Sequence, residues 1–350
     1  MNKVYVLGGA GFIGRRLAVH HRSLGDEVVV VDIFDKLIHN EKNLADYDEL
    51  SGINVIVDDF VSQNVLNLIS KNKPDIIYNL VSQTGTADSN ERLDYYLNEN
   101  VSKHTRLANF LNEINFPLQF ILTSSRAVYG NGCFRDKSGQ VTLSENRTLD
   151  NLQKGVFEYN WEGDPNNVFV PHSYSMPTLP ISFYGTSKLY QENVFQSVVR
   201  NKFVNCIIVR LQNVIGVGQS MFNPYTGLLC WFHKTLSSGG NVSVFEDGKI
   251  TRDFIDVDDV AFILERLSRN KNSLPILDIG VGKETQLLEI ANLLKKEVGK
   301  GDVKTTKQFR EGDCRRGVAS ILELNLLVPE YKPTPLAHTL SKFCEYVQSH

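Results

Sequence analysis

A doubly wound α/β fold, a parallel sheet with helices on both faces followed by a smaller α/β lobe, is what this sequence predicts. Three observations carry that expectation. Short β-branched runs alternate with stretches of helical period through the first 211 residues. A glycine-rich turn separates the first run from the first helical stretch. Small and polar residues collect just beyond the ends of the runs, where ligands sit in such sheets.

Taken in order, V-Y-V-L opens the sheet, and E-V-V-V-V-D (27–32), I-N-V-I-V-D (53–58), D-I-I-Y-N-L (75–80), L-Q-F-I-L-T-S (118–124) and V-N-C-I-I-V-R-L (204–211) read as its next strands. Helices are predicted near 12–24, 62–72, 92–114 and 183–200. Parallel neighbours require right-handed crossovers, so these helices cover both faces. Residues 131–180 are rich in Asn, Asp, Ser and Pro and too long for a plain connection, which reads as an insertion near the site. Beyond Asn213 the alternation loosens into a helix at 226–238, V-S-V-F (242–245), a helix from Asp256, a strand at 274–280 and helices at 286–298 and 336–347. The expected division is therefore 1–212, carrying the insertion 131–180, and 213–350, mainly a substrate-binding lobe, with about 250–280 returning to the first unit.

Composition narrows the function classes. With 350 residues, 42 % of them hydrophobic, the chain can build about two domains. Its net charge of -3, from 37 basic and 40 acidic residues, creates no field for nucleic acid or an anionic membrane surface. Any anion must be met by placed donors. Five scattered cysteines (Cys133, Cys206, Cys230, Cys314, Cys344) form no C-x-x-C pair, so free thiols in a reducing cytoplasm are expected. Eight histidines show no ligand spacing, and no metal site is expected. The start runs straight into a strand without a signal-peptide pattern, and no stretch approaches 18 consecutive apolar residues.

The turn Gly8-Gly9-Ala10-Gly11-Phe12-Ile13-Gly14 between strand and helix fits a dinucleotide-binding Rossmann unit. Gly8 can take the tight turn, Gly11 admits a pyrophosphate close to the backbone, and Gly14 lets helix and strand pack; the helix N-terminus supplies amide donors. Asp32, ending the second strand, can accept from ribose hydroxyls and would repel a 2′-phosphate, which favours NAD over NADP. Asp59 and Phe60 end the third strand where they could meet the adenine.

Tyr184-Gly185-Thr186-Ser187-Lys188 places a phenol and an ammonium at i, i+4 on one helix face. A phenol of pKa about 10 is a poor base at neutral pH, and a neighbouring cation favours its phenolate. Alone, the pair is also common on ordinary surface helices.

With these motifs the chain resembles the extended short-chain dehydrogenase/reductases, the nucleotide-sugar epimerases and dehydratases. N-L-V-S-Q (79–83), S-S-R-A-V-Y-G (124–130), R-L-Q-N-V-I-G-V-G-Q (210–219), R-D-F-I-D-V-D-D-V (252–260) and R-E-G-D (310–313) extend the resemblance over nearly the whole chain. It implies Ser125, Tyr184 and Lys188 as the catalytic trio, Lys188 also on the nicotinamide ribose, and Leu80, Ser82 and Asn100 beside the cofactor. It further implies Arg252 and Arg310 on a substrate diphosphate, Asn213 near the phosphates, and Gln83 and Thr84 beside the sugar. Phe245 and the segment Asn223–Gly227 are candidates for the base and sugar, and Arg315 and Arg316 are expected at the surface or in accessory roles. Dehydrating relatives carry Asp-Glu immediately after the catalytic hydroxyl, because water removal needs a further acid and base; here Arg126 and Ala127 stand instead. The resemblance thus implies a NAD-dependent C4 epimerase of a nucleotide-linked (deoxy)hexose, working through a transient 4-keto sugar and dimerising through the Tyr-x-x-x-Lys helix. Within the family the nearest branch epimerises a dTDP-linked 6-deoxyhexose. A reductase or 4,6-dehydratase, and a non-catalytic nucleotide sensor on this fold, stay open as alternatives.

Overall fold

The structure, a computed structural model, describes residues 1–39, 42–86, 88–144, 147–158, 168–220, 227–270, 275–310 and 312–349. Seven parallel strands form the central sheet: β1 (Lys3–Leu7), β2 (Glu27–Asp32), β3 (Asn54–Val57), β4 (Ile76–Asn79), β5 (Leu118–Ser125), β6 (Val204–Leu211) and β7 (Ile276–Ile279). Their order is β7-β6-β5-β4-β1-β2-β3. The reversal between β1 and β4 opens the crevice in which such sheets bind ligands. In β1, Val6 pairs with Val30 of β2 and Tyr78 of β4.

The strands are apolar on both sides because both faces are covered. Val4 and Val6 join Leu17, Ala18, Val260, Ile263 and Leu264 in one buried layer, while Tyr5 and Leu7 join Leu107, Leu111, Phe120 and Phe195 in the other. The longer helices responsible are α1 (Phe12–Ser23), α2 (Gln63–Asn72), α3 (Lys103–Glu113), α4 (Phe183–Val198), α5 (Leu228–Ser237), α6 (Val257–Arg269), α7 (Leu287–Val298) and α8 (Leu336–Ser349). A third core unites Leu229, Phe232, Ile290, Leu294, Leu340 and Phe343 of α5, α7 and α8 with Val242 and Val244. Between these elements the chain runs back through α6, which packs on α1, and into β7 at the sheet edge.

Two details depart from the sequence reading. The stretch 92–114 is not one α-helix: Leu93–Tyr96 is α-helical, Leu97–Ser102 widens into a π-helix, and α3 follows. Apolar spacing does not distinguish that one-residue widening, which brings Asn100 inward. The insertion contains an antiparallel sheet, with Cys133–Arg135 between Val141–Leu143 and Val168–Val170. Three-residue strands are too short to show a period of two.

Candidate active site

The glycine turn acts through close approach. Gly8 has φ +75, and a Cβ there would lie 3.1 Å from the Val81 amide nitrogen. At Gly14 a Cβ would lie 2.4 Å from the Gly8 carbonyl oxygen and 2.6 Å from Gly9 Cα, so helix and turn touch through backbone. Gly11 is the N-cap of α1 and offers its first amides no side-chain partner. Those amides face a cavity of about 460 Å³. Gly8, Gly11, Phe12, Ile13, Gly14, Asp32, Asp59, Phe60, Leu80 and Ser82 all line it, as do Gln83 and Thr84.

The Asp32 carboxylate accepts from Ala10 N at 3.0 Å and Phe34 N at 2.9 Å, which orients it toward the cavity with lone pairs to spare. Asp59 accepts from the Lys103 ammonium at 2.7 Å, and Phe60 is buried with its ring 5.2 Å from that of His104. The Gln83 amide donates to Asp35 at 3.0 Å, toward the cofactor side of the cavity. Asn100 is fully buried behind the lining: it accepts from Gln83 N at 2.8 Å and donates to Gln83 O and Ser187 Oγ. It acts as a bracket between the β4 loop and α4.

Several lining residues escaped the sequence reading. Arg15 donates to Ala10 O and Gly218 O and lies 4.6 Å over the Tyr47 ring. Tyr346 and Val347 of α8 line the same cavity. No local motif marks a residue more than 300 positions from the glycine turn.

Ser125 ends β5, with Oγ accepting from Ala127 N at 3.2 Å, and Tyr184 stands in the first turn of α4, where the Ser125 hydroxyl acts on its phenol. Lys188, one turn on, is 2 % exposed and donates to Thr123 O at 2.9 Å and Gln191 Oε1 at 3.2 Å. Thr123 lines the cavity, so Lys188 lies against its floor. Burial pulls the lysine down to about 7, with the Glu192 carboxylate opposing it. Burial raises the Tyr184 phenol above its usual value, while the nearby Ser125 hydroxyl and the charge of Arg126 pull it back. Arg126 acts as a cation on the phenol, and the Lys188 Nζ donates to the β5 backbone one turn away. Ser124 instead donates to Glu192, which pairs with Arg210 at 2.7 Å beneath the site.

Beyond the trio lies a cationic patch. Arg252 is 7 % exposed, donates to Thr251 O at 2.7 Å and stands 3.6 Å from Asp313. Its strand is pinned by the next residue, Asp253, which accepts from Val281 N, Gly282 N and Ala319 N. Asn213 Oδ1 accepts from Arg126 Nε at 2.9 Å. Arg310 is exposed and lies 5.2 Å over the Phe245 ring, and its carbonyl accepts from Asp313 N. Asn223–Thr226 fall outside the described residues; Gly227 caps α5. Arg315 is not at the surface: it is fully buried and paired with Glu246, Asp247 and Glu158. Arg316 pairs with Glu284 at 2.6 Å. Among the described residues, no three His, Cys, Asp or Glu side chains cluster as metal ligands, and all five cysteines are free. No helix among them is long and apolar enough to cross a membrane.

Residues 4–149 and 161–280 match the NAD dependent epimerase/dehydratase family. The chain belongs to that family. It is 31 % identical over 326 residues to a dTDP-L-rhamnose 4-epimerase of Burkholderia thailandensis, spanning 92 % of this chain and 88 % of that one. A UDP-glucose 4-epimerase of Mycolicibacterium smegmatis is 24 % identical across 99 % of both chains. The fold is shared with a UDP-N-acetylglucosamine 4-epimerase from Methanobrevibacter ruminantium, at TM-score 0.79 and 20 % identity over 99 % of this chain and 98 % of that one. It is shared also with a UDP-glucuronic acid 4-epimerase from Bacillus cereus solved with UDP-glucuronic acid and NAD, at TM-score 0.74 and 21 % identity over 99 % of both. NAD is the cofactor of the family, and the side-chain-free cradle at Gly8, Gly11 and Gly14 together with the Asp32 carboxylate fits it.

Proposed function

We propose that the protein is a nucleotide-sugar 4-epimerase whose substrate is a dTDP-linked 6-deoxyhexose. The observation that carries this reading is the cavity lined by the glycine turn, Asp32 and Thr123, with Lys188 bonded to Thr123 O at its floor and the Ser125 hydroxyl acting on the Tyr184 phenol. Ser125 orients the sugar hydroxyl, and Tyr184 takes its proton as the alcohol becomes a ketone, then returns it. Bound NAD supplies reversible hydride exchange at the carbinol carbon. Asp32 holds the adenosine ribose, and Asp59 and Phe60 flank the adenine. Leu80 and Ser82 border the nicotinamide side, with Lys188 on its ribose and Asn100 bracing the loop. Arg252, Arg310 and Asn213 take the diphosphate; Gln83 and Thr84 border the sugar. Arg126 and Ala127 bring no carboxylate next to Ser125, which supports epimerisation over dehydration.

The relative from Burkholderia thailandensis supports the choice of base and sugar. Residues 1–212 would carry the cofactor and 213–350 mainly the substrate. The protein would act in the cytoplasm, consistent with its five free thiols, on carbohydrate precursors and away from nucleic acid and membrane. It would dimerise along α3 and α4, where Tyr190 is exposed and bonds Thr105 at 3.0 Å; light scattering of the eluted protein checks the mass. The test of the activity is incubation with dTDP-L-rhamnose, dTDP-glucose and UDP-glucose without added cofactor, with NMR of the product's C4 configuration. Inversion at C4 with no net NADH is expected; loss of water or stoichiometric NADH use would overturn the reading.

A further inference from the structure

Arg126 directly follows Ser125, yet its side chain leaves the sugar-side hydroxyls and runs toward the residues read as phosphate contacts. Its Nε donates to Asn213 Oδ1 at 2.9 Å, and its Nη1 lies 3.4 Å from where a Cβ on Gly317 would stand. Burial and the like charge of Arg252 hold it down at about 10, with Cys314 and Asp313 acting the other way. Asp313 itself stands 3.6 Å from Arg252. The half-buried Arg126 and the buried Arg252 thus repel one another near a single partly exposed carboxylate, an arrangement that favours a bound anion. Arg126 also acts on the Tyr184 phenol, so this charge lies between the catalytic pair and the diphosphate-binding residues.

We propose that Arg126 grips the phosphate nearest the sugar together with Arg252, fixing the distance between that phosphate and the hydroxyl held by Ser125. The inference rests on the nucleotide-sugar reading and assigns its site an anchor of its own. Guanidinium suits this task because its planar fork keeps donors free for a phosphate oxygen while Nε stays on Asn213. A phosphate held there presents one sugar carbon to Tyr184, and a flexible diphosphate does not slide along the cleft.

The test is calorimetric binding of dTDP and dTMP, and of UDP and UMP, to NAD-loaded wild type, Arg126→Gln and Arg126→Lys. Only the diphosphates carry the phosphate in question. Arg126→Gln is expected to weaken the better-bound diphosphate roughly 10- to 100-fold, the worth of one charge-assisted hydrogen bond. Its matching monophosphate should change less than about threefold, and Arg126→Lys should recover part of the loss. Arg126 does not line the cofactor cavity, so retained NAD shows that the variant has folded. Equal losses for both members of a pair, or none, overturn the anchor while leaving epimerisation intact if wild type still inverts C4. Selective loss in a protein without turnover upholds the anchor and refutes the activity. Wild type that binds neither diphosphate refutes both.

Discussion

Replacing Lys188 by Met should make the stability of the cofactor-free protein less dependent on pH, in a direction that the burial of this side chain fixes. The ordinary lysine value of 10.5 falls to about 7 in the folded protein. Between those values the unfolded chain carries a proton that the folded chain lacks, so wild-type stability rises with pH through that window. Below pH 7 both states are charged, and the full cost of burying the ammonium remains. At up to about 1.4 kcal/mol per pH unit, and with the folded lysine still half charged at pH 7, the wild type should gain about 2 kcal/mol from pH 7 to pH 9 through this group. Met removes that gain. It also leaves Thr123 O and Gln191 Oε1 without the donor they now have, at 2.9 and 3.2 Å, a loss of about 1–3 kcal/mol that does not depend on pH. Relative to wild type, which the buried ammonium costs about 5 kcal/mol at pH 6 and about 2 kcal/mol at pH 9, Lys188→Met should therefore be stabilising at pH 6 and close to neutral at pH 9. Urea unfolding at both pH values, followed by far-ultraviolet circular dichroism, reads the difference. Parallel pH profiles for the two proteins would refute the reasoning, and with it the claim that the folded site lowers this ammonium.

Tyr184→Phe keeps the ring and removes the proposed proton-accepting hydroxyl; turnover should fall about 10²- to 10⁴-fold with NAD retained, as followed by NMR of the C4 proton. Gly14→Ala places a methyl 2.4 Å from the Gly8 oxygen, so the turn must shift; at least about 1–3 kcal/mol of stability should be lost, and the purified protein should carry less NAD by absorbance after denaturation. Asp32→Ala removes the acceptor for Ala10 N and Phe34 N as well as the proposed ribose contact, and should weaken NAD more than NADP, measured by fluorescence titration of the cofactor-free protein. If Arg252 grips the diphosphate as proposed, Arg252→Gln should raise KM for a nucleotide sugar far more than it lowers kcat.

The positions of the sheet strands and most helices were legible because apolar runs of four to eight residues and helical spacing are local properties of a chain. The glycine turn, Asp32 and the Tyr-x-x-x-Lys pair were legible for a similar reason: each function needs a fixed spacing within one element or one turn. The π-helical widening at Leu97–Ser102 and the three-residue strands of the insertion lay below that resolution.

The sequence by itself determined which chemical groups the protein owns and the element that carries each. Only the tertiary structure decided their charges and neighbours: that Lys188 faces the Thr123 carbonyl, that Arg126 reaches Asn213, that Arg315 is buried among acids, and that Tyr346 borders the cofactor cavity. The reason is physical. Spacing along an element fixes direction over a turn or two, whereas burial and electrostatic pairing depend on contacts between segments that the chain brings together only on folding.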